Sequence, residues 1–209
     1  MGKRHLEQAA AQTGIEIKTD WQPFFLNHNT PAEGEDMYTH LAHKYGEDKA
    51  RTFTEPGNPL DVAGEKVGIR FNKSRRIIRT AQSHRLVEWC KKVEPAKEDA
   101  LMEALFKAYF EEASDLSKDD ELIKCCVSVG LDPTAAADML KSNDFRSEVV
   151  TKAMSWTQRR VTGVPFFIIH PPEGANGNSS KPVAFSGAQP AALIAEVLQE
   201  QVDTLETLT

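Results

Sequence analysis

The stretch VTGVPFFIIH, residues 161–170, places a proline at the head of a continuous apolar run. Apolar runs of about four to eight residues, bounded by turn-forming residues, are typical of buried strands. A proline has no N–H to donate to a sheet, so a proline at the start of a strand usually marks an edge position. The fold must therefore explain why a strand with buried character begins at Pro165.

The residues after this strand predict a hairpin and a closing helix. The segment PPEGANGNSSKP, residues 171–182, is polar and turn-forming, which predicts a long mobile hairpin loop. The strand PVAFS, residues 182–186, then returns. Pro190 suits the first position of a helix, whose apolar stripe is formed by Leu193, Ile194, Val197 and Leu198.

The rest of the chain predicts one more strand and a helical block. Residues 1–12 are predicted to be a helix that stops at Gly14, and the alternation of Ile15 and Ile17 with charges predicts a strand within residues 15–27. The Gly- and Pro-rich residues 54–68 are predicted to be a loop. Further helices are predicted over residues 35–45, 74–91, 97–112, 119–129, 133–141 and 145–157.

The composition is typical of a mildly acidic globular protein. Its 209 residues are 40% apolar and 27% charged, with a net charge of -6, which gives no reason to expect nucleic-acid binding. No segment approaches the roughly 18 apolar residues of a membrane span, and no apolar stretch follows the basic N-terminal pair. The 3 cysteines form no Cys-x-x-Cys motif, and so few thiols suit a reducing compartment. We therefore expect a cytoplasmic protein without membrane contact.

Several separated segments carry a family resemblance. In chain order they are GKRHLEQA, WQPFFLNHNTPAEGEDM, SHRLVEW, ALMEALFKAYFEE, VTGVPFF and SGAQP. Together they resemble the DsbA-like thioredoxin-fold family, in its FrnE-like branch, which is related to hydroxychromene carboxylate isomerases and kappa-class glutathione transferases. The resemblance implies an α/β fold. Its thioredoxin domain would be formed by residues 1–33 and 159–209 and interrupted by a large all-helical insertion, residues 34–158.

The resemblance also implies which residues bind substrate. In thioredoxin folds the strand before the hairpin begins with a cis-proline, which leaves the N–H and C=O of the preceding residue free to pair with an extended chain. We therefore expect Gly163, Val164 and Pro165 to bind a protein or small-molecule thiol or disulfide substrate. His84 and Arg85 match the family's His-Arg and are further candidates for substrate binding. The alternative for this pair is a helix hydrogen bond and a salt bridge.

The beginning of the chain departs from the family pattern. In the FrnE-like branch the segment that GKRHLE resembles follows the first strand and the active-site Cys-Pro-Trp-Cys, so both are expected before Met1. No catalytic residue is assigned. The resemblance implies a thiol–disulfide oxidoreductase that is N-terminally truncated and inactive in this form. A non-catalytic thioredoxin-like binding protein and a glutathione-dependent isomerase or transferase are the alternatives.

Cofactors and partners follow from the same reasoning. No cofactor is required, although glutathione is a candidate, and a homodimer would cover the trench that a missing strand leaves. The paired cysteines Cys125 and Cys126, like Cys90, are expected to be small buried hydrophobes. His40 and His43 lie one helical turn apart without a third ligand, so no metal site is expected.

Overall fold

The computed structural model describes residues 1–171 and 181–206, with side chains as far as residue 203. The chain forms two compact units, one of Met1–Thr19 with Val161–Thr209 and one of Asp20–Arg160. We call them the first unit and the helical unit. The sequence placed the boundaries at residues 33/34 and 158/159. The predicted hairpin loop, residues 171–182, lies largely outside the described residues.

The described residues contain mainly helices. In chain order, the helices are α1 Gly2–Thr13, α2 Met37–Tyr45, α3 Glu47–Thr54, α4 Pro59–Glu65, α5 Ala81–Val93, α6 Glu98–Phe110, α7 Asp119–Ser128, α8 Pro133–Lys141, α9 Arg146–Gln158 and α10 Ala191–Glu206, with a short 3₁₀ turn at Pro95–Lys97. The strands are β1 Phe166–Ile169 and β2 Val183–Ser186. None of the described helices has the length and apolar character needed to cross a bilayer.

The first unit packs helices α1 and α10 together beside an antiparallel strand pair. Phe166 of β1 lies opposite Ser186 of β2 in the register of this pair. Helix α1 ends, as predicted, at Gly14, whose φ of 70° is in the left-handed region that glycine adopts freely. The buried core of the unit comes from the two helices: Leu6, Ala9, Ile194 and Leu198.

The side chains of the two strands complete this core only in part. Phe167 stacks on Phe185 across the strand pair, with ring centroids 5.1 Å apart. Both rings are partly buried against the helices, as is Ile169. Within the described residues, neither strand contains a fully buried side chain. The sheet is therefore less covered than the helix pair on which it rests.

The strand predicted within residues 15–27 is absent from the structure, and this prediction was wrong. Ile15 and Ile17 pack against the core of the first unit and are partly buried, but no strand pairs with them among the described residues. Alternation with period two indicates that one face of a segment is buried. It does not supply the neighbouring strand that a hydrogen-bonded ladder needs.

Helix α5 lies at the centre of the helical unit. It contacts α6, α7, α8 and α9, so its side chains form much of the shared core. The side chains of this core that are completely inaccessible to solvent include Leu86, Cys90, Leu101, Leu122 and Cys126. The prediction of an all-helical block is consistent with this arrangement.

Two helices were not predicted, and a third begins later than predicted. Helix α3 was not predicted, and α4 lies inside the predicted loop of residues 54–68. Helix α5 begins at Ala81 and not at residue 74. The preceding residues are held in extended form because Ile77 exchanges two backbone hydrogen bonds of 2.8 Å with Glu35. Such a long-range bridge leaves no local signal in the sequence.

Residues 20–33 belong to the helical unit because their backbone is bound there. The N–H of Trp21 donates to Glu98 Oε1 at 2.7 Å, and its ring meets Phe106 edge-on at 5.5 Å between centroids. Arg79 Nε donates to the carbonyl of Thr30 at 2.7 Å. These contacts place the unit boundary at Thr19, earlier than the sequence suggested.

Asn58 explains why α4 forms in a segment rich in glycine and proline. Its side-chain oxygen accepts the N–H groups of Leu60 and Asp61 at 2.9 and 3.1 Å, which is the hydrogen-bonding role of an N-cap. Its amide nitrogen donates to the carbonyls of Phe53 and Glu55 at 2.8 and 3.0 Å. One 5% exposed side chain therefore joins the end of α3 to the start of α4.

We predict that Asn58→Ala lowers the free energy of unfolding by about 2 kcal/mol, because a cap is lost and the carbonyls of Phe53 and Glu55 lose a donor. Urea unfolding followed by circular dichroism measures this change. The control is Asn143→Ala at an exposed asparagine, where we expect a change of less than about 0.5 kcal/mol. Equal effects of the two substitutions would contradict the capping role.

Candidate functional site

Gly163, Val164 and Pro165 form a bend immediately before β1. The carbonyl of Pro165 accepts the N–H of Gly187 at 2.8 Å, which fixes the bend to the residue after β2. The peptide bond between Val164 and Pro165 is cis. The three residues that the sequence singled out in this segment are thus held in one place by the strand pair.

Val164 lies exposed at the surface of the first unit, and its backbone groups are unpaired among the described residues. The residue is 52% exposed. Within residues 1–171 and 181–206, no hydrogen bond is formed by its N–H or its C=O. The next apolar side chain along the bend, Phe166, is 36% exposed. This stretch offers one backbone donor and one backbone acceptor beside two apolar side chains.

The start of α1 packs directly on Pro165, and this contact requires glycine at position 2. A β-carbon on Gly2 would lie 2.9 Å from Cγ of Pro165 and 3.0 Å from the ring of Phe167, closer than non-bonded carbons approach. His5, one turn later, donates from Nδ1 to the carbonyl of Gln189 at 2.8 Å. The sequence analysis missed the roles of Gly2 and His5, although both lie in the segment GKRHLEQA.

Arg85 is buried inside the helical unit and is 1% exposed. Its Nε donates to the carbonyl of Asp144 at 2.7 Å, and its Nη2 donates to the carbonyls of Met139 and Ser142 at 2.9 and 2.8 Å. These carbonyls lie at and beyond the end of α8, where helical backbone acceptors lack intrahelical partners. The guanidinium therefore supports the fold, and its contact with an anionic substrate remains a prediction.

His84 is partly buried in the helical unit. Its Nε2 donates to the carbonyl of Phe24 at 3.2 Å, and its ring lies edge-on to Phe25 at 5.5 Å between centroids. Burial lowers the pKa of His84 to about 4, because an imidazolium is costly in a site shielded from water. His84 is therefore neutral near pH 7. Its role in substrate binding also remains a prediction.

The three cysteines are free and buried, as expected from the sequence. Burial raises the pKa of Cys90 and of Cys125 to about 11, and that of Cys126 to about 12. The thiolate is the reactive form in thiol–disulfide exchange. None of these thiols has the lowered pKa and exposure that a nucleophilic cysteine needs.

The histidines of α2 share the carboxylate of Glu35. His40 Nδ1 and His43 Nδ1 lie 2.8 and 3.4 Å from the carboxylate oxygens of Glu35. Among the described residues, no group of three potential ligands is close enough to hold a metal ion. A pair of histidines with one carboxylate is accounted for by ordinary side-chain hydrogen bonding.

We predict that the three cysteines react slowly with a thiol reagent in the native protein. Raising a thiol pKa from 9.0 to about 11 lowers the thiolate fraction near pH 8 by about 100-fold, and burial further limits access. Absorbance after adding Ellman's reagent, with and without denaturant, measures this. All three thiols should react rapidly once the chain is unfolded. Rapid native labelling of Cys125 or Cys126 would contradict the prediction.

We predict that His84→Gln makes unfolding less sensitive to acid. The pKa of His84 is about 4 in the folded chain and 6.5 ordinarily, so the unfolded chain binds more protons between these pH values. The stability that neutral His84 contributes is complete above pH 6.5 and is lost as the pH falls towards 4. The full difference between the two pKa values corresponds to about 3 kcal/mol of folding stability.

Urea unfolding at about pH 7.5 and about pH 4.5 tests this prediction. The loss of stability between the two pH values should be about 2 kcal/mol smaller in His84→Gln than in the wild type. His43→Gln is the control, since the side chain of His43 is 77% exposed. If His84→Gln loses as much stability between the two pH values as the wild type does, His84 is not the cause of the acid sensitivity.

Comparisons with known proteins place this chain in a family. The model of the DSBA-like thioredoxin domain family matches residues 1–199. A candidate DsbA oxidoreductase from Streptomyces coelicolor is 23% identical, with a TM-score of 0.76 over 96% of this chain and 82% of that chain. A candidate protein disulfide isomerase from Nitrosomonas europaea is 14% identical, with a TM-score of 0.67 over 97% of this chain and 91% of that chain.

A comparison with curated proteins gives no match. The two solved structures are similar to this chain in fold, which is the thioredoxin-like DsbA fold with its helical insertion. The expectations of an α/β fold and of a DsbA-like family are confirmed. Since the family model matches nearly the whole sequence, the chain belongs to the DSBA-like thioredoxin domain family.

Proposed function

We propose that this protein functions with the substrates of thiol–disulfide exchange of the DsbA and FrnE type. Its bend at Gly163, Val164 and Pro165 binds an extended substrate chain. We further propose that the 209-residue chain binds such substrates without catalysing the exchange. The observation that carries the proposal is that Val164 is 52% exposed and that its N–H and C=O have no partner among the described residues.

An extended chain beside Val164 can form two backbone hydrogen bonds, as strands do when they add to a sheet. Each bond contributes about 0.5 to 1.5 kcal/mol net, so the pair alone gives weak binding. The exposed side chains of Val164 and Phe166 add apolar contact. Affinity that comes mainly from backbone groups depends little on the substrate's sequence. This suits a protein that binds many different unfolded chains.

The absence of catalysis is supported by the cysteines. Exchange requires a thiolate that attacks a disulfide sulfur and a second thiol that resolves the mixed disulfide. The sequence contains 3 cysteines and no Cys-x-x-Cys pair. All three are buried with raised pKa values. Free buried thiols also suit the cytoplasmic location that forms part of this proposal.

Glutathione is the alternative ligand of the same bend. It is a short extended peptide with a thiol, so its backbone groups could pair with Val164 as a longer chain would. Binding of glutathione in preference to peptides would favour the glutathione-dependent isomerase or transferase reading. The two readings therefore differ in the ligand that the bend prefers.

We predict that a short extended peptide with an S-methylated cysteine shifts the amide signals of Gly163, Val164, Phe166 and Gly187 in a nuclear magnetic resonance titration. Methylation of the peptide's backbone nitrogens beside the cysteine removes donors and should weaken binding about tenfold. S-methylglutathione, titrated in parallel, shows which ligand is preferred. A peptide that moves none of these signals would refute the binding site.

The proposed absence of catalysis is tested on the same samples. Insulin reduction by dithiothreitol should proceed at the same rate with and without the protein. A variant with all three cysteines replaced by alanine is the matched control. If the wild type accelerates the reaction and the variant does not, one of the buried cysteines is the nucleophile and the non-catalytic assignment is wrong.

A further inference from the structure

The helical unit contains a pocket that the proposed function does not use. It opens between the segment at Trp21 and Pro23 and the helices α5 and α6, with Met102 on the α6 side. Its volume is about 250 Å³ including the solvent at its mouth. Helix α5 contributes two polar side chains to its lining, His84 and Glu88. These lie one helical turn apart and so share a face of α5.

Glu88 is buried in the wall of this pocket with one carboxylate oxygen unsatisfied. The residue is 2% exposed, and its Oε2 accepts Lys152 Nζ at 2.6 Å. Its Oε1 has no hydrogen-bond partner within the residues that the structure describes. Leaving a buried acceptor of this kind without a donor is costly.

Lys91 lies near this oxygen, but its donors are directed elsewhere. Its Nζ is 3.7 Å from Glu88 Oε1, which is too long for a hydrogen bond. It donates to Asp20 Oδ1 at 2.5 Å and to the carbonyl of Trp21. Its third N–H has a nearer acceptor in Glu98 Oε1 at 3.4 Å. Glu88 Oε1 is therefore left without a hydrogen-bond donor among the described residues.

The surrounding charges favour a cation at this oxygen. The ion pairs of the cluster link four carboxylates, those of Asp20, Glu88, Glu98 and Glu148, to three lysines, Lys91, Lys92 and Lys152. The lysine charges therefore do not balance the carboxylates completely. A further cation would meet net attraction, which is strongest at Glu88, whose side chain is 3% exposed.

His84 offers a second acceptor in the same pocket. Since Nε2 donates to the carbonyl of Phe24, this nitrogen carries the proton. Burial keeps the pKa of His84 at about 4, so its Nδ1 is unprotonated near pH 7 and can only accept. The lining of the pocket thus combines the side chains of Glu88 and His84 with the apolar side chains of Trp21, Pro23 and Met102.

We propose that this pocket binds a small primary ammonium group, carried by a free alkylamine or by a lysine side chain of another molecule. Glu88 Oε1 accepts one N–H of the ammonium group and His84 Nδ1 accepts a second. Trp21, Pro23 and Met102 contact the attached alkyl chain. Hydroxyl ligands offer only one donor, and anions are repelled by the carboxylate.

The test is a titration of the ¹⁵N-labelled protein with methylammonium and n-butylammonium chloride, against sodium chloride at equal ionic strength. The expected result is a saturable shift of the indole N–H of Trp21 and of the amides of His84 and Glu88. Nα-acetyl-lysine amide tests the second source, with Nα-acetyl-norleucine amide as its uncharged control. Shifts with alkylamines alone identify a free amine as the ligand, whereas shifts with the lysine compound extend the site to lysine side chains.

Two matched variants distinguish amine binding in the pocket from a general effect of negative charge. Glu88→Gln and Glu148→Gln each remove a carboxylate bound to Lys152, but only Glu88 lines the pocket. Glu88→Gln should weaken amine binding by at least about tenfold, and Glu148→Gln should leave it nearly unchanged. Equal weakening by both variants overturns the proposal. The proposal is also overturned if, in the wild type, no amine shifts these signals more than sodium chloride does. This second result holds even if Glu88→Gln fails to fold.

Discussion

Two buried charges on α5 determine how the helical unit is assembled. Arg85 and Glu88 are 1% and 2% exposed, and a buried charge is tolerated only when hydrogen bonds and opposite charges replace water. Arg85 meets this requirement with the carbonyls at the end of α8. Glu88 meets it in part with Lys152 of α9. The positions of α8 and α9 against α5 therefore follow from electrostatics as well as from apolar packing.

The first unit depends on a steric constraint where the helical unit depends on charge. Gly2 allows the start of α1 to approach Pro165 and Phe167 to within contact distance. The hydrogen bond from Pro165 to Gly187 holds the bend in place from the other side. As a result, Val164 is exposed next to a residue that is held on two sides, and a backbone that is held in place before binding loses less entropy when it pairs with another chain.

The sequence predicted those elements whose signals are local. Helix α8 begins where it was predicted because Pro133 and the N-cap Asp132 mark its start, and the strand after Pro165 was found from its apolar run. Helix α4 was missed because its cap, Asn58, works through contacts that no periodicity reveals. In the sequence, Glu88 looks like any exposed charge of an amphipathic helix. Its burial, and hence the pocket, could therefore not be predicted.

The family could be recognised from short segments because their order is retained along the whole chain. The supporting residues of the site were harder to find. Gly2 and Pro165 are distant in sequence, as are His5 and Gln189, and only the folded chain brings them together. Pairing of residues so far apart is set by the topology of the fold and not by local propensity.

The discontinuity of the first unit has a consequence for synthesis on the ribosome. Leu6 and Ala9 of α1 find their core partners Ile194 and Leu198 only in the last helix of the chain. At about 5 to 20 residues per second, roughly 10 to 40 s pass between the synthesis of the two helices. The helical unit, encoded between them, can fold during this time. The apolar face of α1 meanwhile remains uncovered.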